Sequence, residues 1–507
     1  MKEKQTKPSL LLKIFFLILL FVVISYSIKT GVIFDIDVAR DFLLMNDIVK
    51  NHHLTLIGAR TAINGVYHGP FWLYLNLPVF IFSHGNPAYS TFFWLLLFLI
   101  FLGSLWYVGK KLFDEKTGLL SMFILTSHIL FFINSPTNPF VAVILFPIYF
   151  YLLLAYIWTT RLIYLVGIMG IGGILIQSEM VFGVPIMLAS LLLVCRVIFK
   201  TKKINHLFTF PLLLLAISTF IMFDVRHNGL QIQTLIHTLS ENQKNANNFS
   251  SVLNNLYTML QGNRLFIATP QDMFFIISKI MNIFSFIVII ILYILARKEK
   301  NKKTLNIIST FLFLYSVFWV ALILSGNAIH WYYYWAFSGV SAILIAQIAN
   351  RSSVLYTIVF IGIIFNLISG INYVQSNGIQ LSRWAVQKKY AESIYQDSAK
   401  QFGYFINTDD QISNYIPMYT MLYEQQLHLD KNSSAFIKKK YTYIIIGPYP
   451  DRTLMDNRWW TKNILHIEHV PIQRKVYPGG YAVELFKLSE LERKIPVESV
   501  FSSLQYR

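Results

Sequence analysis

Three acids and one arginine crowd a single short stretch near the start of the chain, Asp35-Ile-Asp37-Val-Ala-Arg40-Asp41. On a helix, Asp37, Arg40 and Asp41 share a face at i, i+3 and i+4. Acids at such a place can simply begin a helix, since its N-terminus carries partial positive charge. Acid pairs this close, Asp35 and Asp37 above all, can also hold a divalent cation or supply a general base. Further along, His68-Gly69-Pro70 opens an apolar stretch, and Phe223-Asp224-Val-Arg226-His227-Asn228 closes another. Arg226 offers a fork that matches phosphate oxygens. His330 heads the aromatic run Trp331-Tyr332-Tyr333-Tyr334-Trp335. Membrane-interface aromatics account for that run, but not for the histidine. Glu179, with Gln177 beside it, interrupts apolar sequence, and an acid in such a place is a functional candidate by default. Asn134-Ser-Pro136-Thr-Asn138-Pro139 reads as a rigid turn. No Walker A, GxSxG, HExxH or paired CxxC motif is present, which removes several enzyme classes.

The elements that position these residues lie in a membrane. Of 507 residues, 55% are hydrophobic and 13% charged, and the mean hydropathy is +0.52. A soluble chain carries about 25% charged residues. Apolar runs such as Leu10 to Ile28 and Phe92 to Val108 approach the ~20 residues that span a bilayer as helix. The net charge of +18 is gathered in short clusters between these runs. That is the pattern of topology determinants and anionic-lipid contacts rather than of a nucleic-acid surface. Cys195 is the only cysteine, so no intrachain disulfide can form.

Lys2, Lys4 and Lys7 precede the first run, and no clear cleavage site follows it, so it reads as an uncleaved span with the N-terminus in the cytoplasm. The same logic places spans near 10–28, 89–108, 118–134, 139–158, 162–178, 181–199, 206–224, 272–296, 304–325, 331–349 and 353–373. Every cytoplasmic turn then carries a basic residue. The result is eleven spans with the C-terminus outside. Phe71 to Ser83 is too short to span, contains Pro78 and reads as an interfacial or re-entrant helix. Residues 1–373 thus form a transmembrane domain with long exported loops at 29–88 and 225–271. Residues 374–507 form an exported α/β domain, helical over 382–401, with strands over 441–447 and 480–488.

Taken together and in order, these positions resemble the GT-C superfamily of polyprenyl-phosphate-sugar glycosyltransferases, in particular its bacterial branch similar to protein O-mannosyltransferases and aminoarabinose transferases. The pattern D-x-A-R-D appears as Asp37-Val-Ala-Arg40-Asp41, then His68-Gly69-Pro70, then F-[DE]-x-R-H as Phe223-Asp224-Val-Arg226-His227, then His330. The resemblance implies a multi-pass protein of the plasma (inner) membrane that moves a sugar from a polyprenyl-phosphate donor to a glycan, lipid or protein acceptor on the extracytoplasmic side, with inversion. It implies Asp37 as base on the acceptor, with Asp35 or Asp41 as supporting or alternative acid. Arg226 and His227, with His330, would stabilise the departing phosphate, while Arg40 and His68 join the substrate site. Glu179 remains a substrate-site candidate from its apolar setting alone, since it stands where many relatives have a less acidic residue. No cofactor is implied, and a divalent cation on Asp35 and Asp37 stays open. Here Asp35 precedes the catalytic position, whereas many relatives carry their second acid after it. The alternative is a transporter, flippase or ligase of lipid-linked glycans. A transporter would spread polar residues through its spans, whereas these gather towards one face.

Overall fold

A computed structural model describes residues 10–61, 63–245, 249–325, 329–408, 413–448 and 457–497. The basic cluster Lys2, Lys4 and Lys7 lies outside them. The described chain is mostly helical and divides into two compact units, each treated by itself below. One comprises residues up to Lys29, Thr55–Leu75 and Phe92–Val374; the other comprises Thr30–Leu54, Asn76–Thr91 and the chain from Gln375 onward.

The helices run in order α1 (Leu10–Thr30), α2 (Ile36–Asn51), α3 (Phe71–Phe82), α4 (Ser90–Leu112), α5 (Glu115–His128), α6 (Pro139–Thr159), α7 (Leu162–Ser178) and α8 (Met180–Thr201). They continue as α9 (Pro211–Ala216), α10 (Ser218–Arg226), α11 (Leu230–Asn245), α12 (Phe249–Leu260), α13 (Phe275–Lys298), α14 (Lys302–Leu324), α15 (Trp331–Tyr334), α16 (Phe337–Ala349) and α17 (Ser353–Gln375). All eleven stretches expected to span are helical. Seven of the helices, namely α1, α4, α6, α8, α13, α14 and α17, are long and apolar enough to cross a bilayer. The count of eleven is therefore not reached by length alone. The stretch 206–224 is two helices bent by 56° at a break around Ile217, and α7 and α16 are shorter apolar helices. If the bent pair is one span, the number rises to eight among the described residues. Helix α16 is one of the short apolar helices. All its residues are buried, packed on α5, α6 and α13. A helix encased by protein need not match the thickness of the bilayer.

In the other unit, α2 has apolar residues at Val38, Phe42, Met45 and Ile48, the spacing of one helical stripe, and this face packs on α21 (Tyr415–Leu427). The helix ends at His52, in left-handed conformation (φ 48°). The chain beyond Gln375 adds α18 (Asn377–Leu381), α19 (Trp384–Gln387) and α20 (Lys389–Asp397). It then builds a five-stranded sheet from β1 (Gln401–Asn407), β2 (Asn432–Ala435), β3 (Tyr441–Ile446), β4 (Gln473–Val476) and β5 (Ala482–Lys487), in the order β2-β1-β3-β5-β4. The expected strands at 441–447 and 480–488 are β3 and β5, and the expected helix over 382–401 is α19 and α20. The first three strands in that order are parallel, with α21 the crossover from β1 to β2; β5 and β4 run antiparallel. Alternate residues serve opposite faces: Phe402, Tyr404 and Ile406 pack with α20 and α21, and Phe405 with Trp460 and Phe486. Gly479 and Gly480, at φ 97° and 85°, make the turn between β4 and β5 that a side chain would strain.

The sheet is closed off by α22 (Arg458–Asn463) and α23 (Glu490–Lys494). Glu492 is buried in a capping box with Ser489 and also accepts from the backbone N–H of Glu468 and from His469 Nδ1 at 2.7 Å. Burial alone would raise this carboxyl, but the hydrogen bonds from His469 and Ser489 win and hold it down at about 2. A carboxyl that binds its proton more weakly folded than unfolded contributes stability at neutral pH. That contribution declines as pH falls below the ordinary value of 4.5 towards 2. Hydrogen-exchange protection in the α23 segment of the intact chain, relative to the intrinsic rate at each pH, should therefore fall over that window. Glu492→Gln should cost about 1–2 kcal/mol of local protection at pH 7 and flatten the pH response; equal protection in both proteins would refute the assignment.

Candidate functional site

The acidic cluster belongs to the unit that contains α2. Asp35 is the N-cap of α2, its Oδ1 accepting from Val38 N–H at 2.9 Å. Arg40 lies between the other two acids: Nη1 donates to Asp37 at 2.6 Å, while Nε and Nη2 donate to Asp41 at 3.3 and 3.1 Å. Burial opposes the guanidinium charge, and the neighbouring Asp41 and Asp37 more than restore it, so its affinity for the proton is raised. Asp41 is buried, whereas the Asp37 side chain is 56% exposed. The three acids thus divide their roles: Asp35 caps, Asp41 pairs, and Asp37 presents a carboxylate to solvent and to whatever arrives there.

What holds this start of α2 is local to its own unit. Ile33 pairs with Arg383 in an antiparallel bridge, Phe34 N–H donates to the Ser382 carbonyl and Trp384 N–H to the Val32 carbonyl. Phe34, Phe42, Trp384 and Tyr419 form an aromatic cluster with ring centroids 4.7–6.0 Å apart. At the far end of the helix, Gln426 donates to Asn46 at 3.0 Å.

His68, Glu179, Arg226, His227 and His330 belong to the other unit. The loop carrying His68 is pinned by backbone bonds, His68 N–H to the Ala59 carbonyl and Gly58 N–H to the His68 carbonyl. Gly69 N–H donates to the Gln177 carbonyl, and a Cβ at Gly69 would strike the Gln177 side chain, which fixes glycine at this crossing. Tyr67 N–H reaches Gln231, whose own N–H is held by buried Asp224. Residues 67–69 are thereby knit to the α7–α8 turn and to the α10–α11 corner. His227 stacks on Phe223 at 4.1 Å and its Nδ1 meets the Phe223 carbonyl; Arg226 is exposed. His330 precedes the first turn of α15 without a side-chain cap and stacks on Tyr332. In the turn between α7 and α8, Glu179 is 1% exposed, with Oε1 on Val181 N–H at 3.3 Å and burial pushing its carboxyl up to about 8.

Sequence reasoning missed one cation of this unit, Arg264. It sits in left-handed conformation (φ 45°), which a non-glycine residue adopts at a cost. Its guanidinium lies 4.4 Å from the ring centre of Trp331 and 5.9 Å from that of Phe132, with Tyr334 beside it. Its Nε is enclosed without a hydrogen-bond partner, and no carboxylate among the described residues pairs with it. Buried amides fix the strand of chain that carries it. Asn282 accepts from the N–H groups of Leu265 and Phe266 and donates to the Phe266 carbonyl; Asn366 accepts from Ile267 N–H and donates to the Leu265 carbonyl and Ser127. His128 also meets the Leu265 carbonyl. The signal was present in the polar residues Asn282, Asn366 and His128 set within apolar helices, which are functional candidates on cost alone. Asn282→Leu would strand two buried N–H groups at about 1–3 kcal/mol each. It should lower the melting temperature of the detergent-solubilised protein and release Arg264; an unchanged melt would count against this scaffold role.

Among the described residues, no three His, Cys, Asp or Glu side chains gather as a metal site would require.

No known family model matches the sequence, and no curated protein matches it. Solved structures do. The structure of ArnT from Cupriavidus metallidurans bound to undecaprenyl phosphate matches with a TM-score of 0.52 at 11% identity, over 94% of this chain and 98% of that one. The apo state of ArnT matches with 0.53 at 11% identity, over 93% and 97%. At such identity the likeness speaks for architecture, and it extends over nearly the whole of both chains: the protein has an ArnT-like GT-C fold.

Proposed function

We propose that this protein transfers a sugar from a polyprenyl-phosphate carrier to an acceptor on the extracytoplasmic side of the plasma membrane. The observation that carries the reading is Arg264. A partly buried guanidinium without an acid partner is costly unless an anion completes it. The anion best suited to its fork, beside Trp331 and Tyr334 at one end of a helical bundle, is a lipid phosphate. That the ArnT structure holds undecaprenyl phosphate on the same fold supports this choice.

In the proposed reaction, the acceptor nucleophile forms its bond to the anomeric carbon as the bond from that carbon to the phosphate oxygen breaks, with inversion. Asp37 takes the proton from the nucleophile. The polyprenyl phosphate leaves as an anion whose charge Arg264 stabilises, with Arg226, His227 and His330 as further donors on the same unit. Arg40 keeps Asp37 in place through the 2.6 Å contact. No step in this scheme requires a metal. The test is transfer of label from radiolabelled polyprenyl-phosphate sugars in proteoliposomes. Incorporation into acceptor supports the reading, and carriage of the intact lipid across the bilayer without transfer would replace it by the flippase reading.

A further inference from the structure

Glu179 is the buried acid that the reaction scheme leaves without work. It is 1% exposed and caps α8 through Oε1, while Oε2 has no hydrogen-bond partner among the described residues. No cation pairs with it there. A carboxyl so placed retains its proton, because the charged form would be desolvated without compensation. It is therefore an O–H donor still lacking an acceptor, and buried polar groups in folded proteins are normally satisfied.

Its surroundings say what kind of acceptor fits. Gln177 on α7 lies one turn-residue away, and its amide is spent on the Ala216 carbonyl. Tyr333 on α15 lies near it, and His330 packs edge-on to that tyrosine at 5.4 Å. The next residue along α15, Tyr334, lies beside Arg264. The short helix α15 therefore touches two different subsites through consecutive tyrosines: a cationic one at Arg264 and a neutral, donor-bearing one at Glu179. A phosphate belongs at the first and repels a second anion. An uncharged hydroxylated group covalently next to a phosphate belongs at the second.

We propose that Glu179 is a sugar-recognition residue, its protonated carboxyl donating to a hydroxyl or ring oxygen of a neutral sugar whose phosphate lies at Arg264. This rests on the function proposed above and adds the class of sugar: neutral and hydroxylated, rather than acidic or amino-bearing. An acidic sugar would set a second charge beside a desolvated acid. An amino sugar would draw the proton from Glu179 and hold it as a salt bridge, which requires a carboxylate.

The test is binding of two probes to the whole protein in nanodiscs: a polyprenyl-phosphate mannose and the same polyprenyl phosphate without sugar, each with wild type, Glu179→Gln and Glu179→Ala. Glutamine keeps the shape and an N–H donor without charge. Wild type should bind the sugar-bearing lipid more tightly than the bare one. Glu179→Ala should weaken the sugar-bearing lipid about tenfold, as loss of one buried hydrogen bond does, and leave the bare lipid within a factor of two. Glu179→Gln should stay within about threefold of wild type for both. Loss in Glu179→Gln equal to that in Glu179→Ala would show that a carboxylate is required and overturn the proposal, as would equal binding of both lipids by all three proteins. If mannose gives no preference but a polyprenyl-phosphate amino sugar does, abolished by Glu179→Gln, the neutral-sugar assignment is wrong. Binding of neither lipid by wild type would instead overturn the glycosyltransferase reading itself.

Discussion

Exchanging Asp37 for asparagine should lower sugar transfer by about 10²–10⁴-fold, the worth of a positioned general base, while the protein accumulates in membranes as wild type does. The expectation that stability is spared comes from the structure around it. The Asp37 side chain is 56% exposed, and Arg40, its close partner among the described residues, retains Asp41. The two neighbouring acids should behave differently. Asp35→Ala removes the N-cap of α2, which costs about 1 kcal/mol and leaves a functional if less stable protein. Asp41→Asn takes the buried partner from Arg40, and breaking such a pair costs about 3–5 kcal/mol, so loss of folded protein should precede any loss of rate. Initial rates normalised to monodisperse protein by size-exclusion chromatography separate the three. Transfer by Asp37→Asn equal to wild type would remove it as the base, and a rate loss confined to Asp35→Ala would move that role there.

This division among three acids shows what the sequence could and could not carry. The cluster itself was legible, because charge next to an apolar span is rare and three acids with an arginine rarer. Which acid caps and which is buried was not legible, since the N-cap depends on where the helix begins, and that is set by a bridge from Ile33 to Arg383. A pairing across so long a stretch of chain leaves no local signature. The same holds for the membership of α2 in one compact unit with the chain beyond Gln375: its apolar stripe announced a buried face, not the Tyr419 and Trp384 that cover it. The membrane class was legible from composition, and the helical stretches from their runs. The lengths of α7 and α16 and the bend near Ile217 were not, because neighbours, rather than lipid, satisfy those segments. Arg264 was the largest omission. Its surroundings in sequence, Gln261-Gly262-Asn263-Arg264-Leu265, look like an ordinary loop end. Only the amides of Asn282, on the next helix, and of Asn366, far along the chain, turn that loop into a fixed cation.

Replacing Arg264 by lysine should nearly abolish both donor binding and transfer, although charge is conserved. The guanidinium is planar and lies against the Trp331 ring beside Tyr334, and lysine can reproduce neither the plane nor the fork. A charge-assisted hydrogen bond contributes about 1.5–3 kcal/mol, so losing it weakens binding of a polyprenyl phosphate by about 10–150-fold. The left-handed backbone at Arg264 is held by Asn282 and Asn366 and not by its side chain, so the fold should survive the exchange. The melting temperature without lipid should even hold steady or rise in Arg264→Gln, since an uncompensated cation leaves the interior. Added polyprenyl phosphate should then raise the melting temperature of wild type and leave that of Arg264→Gln unmoved. Arg226→Gln is the control that decides between the two arginines: it is exposed, and it should retain most of the lipid-dependent shift. If Arg226→Gln erases the shift and Arg264→Gln keeps it, the phosphate is held where the sequence first suggested, and Arg264 is a structural cation.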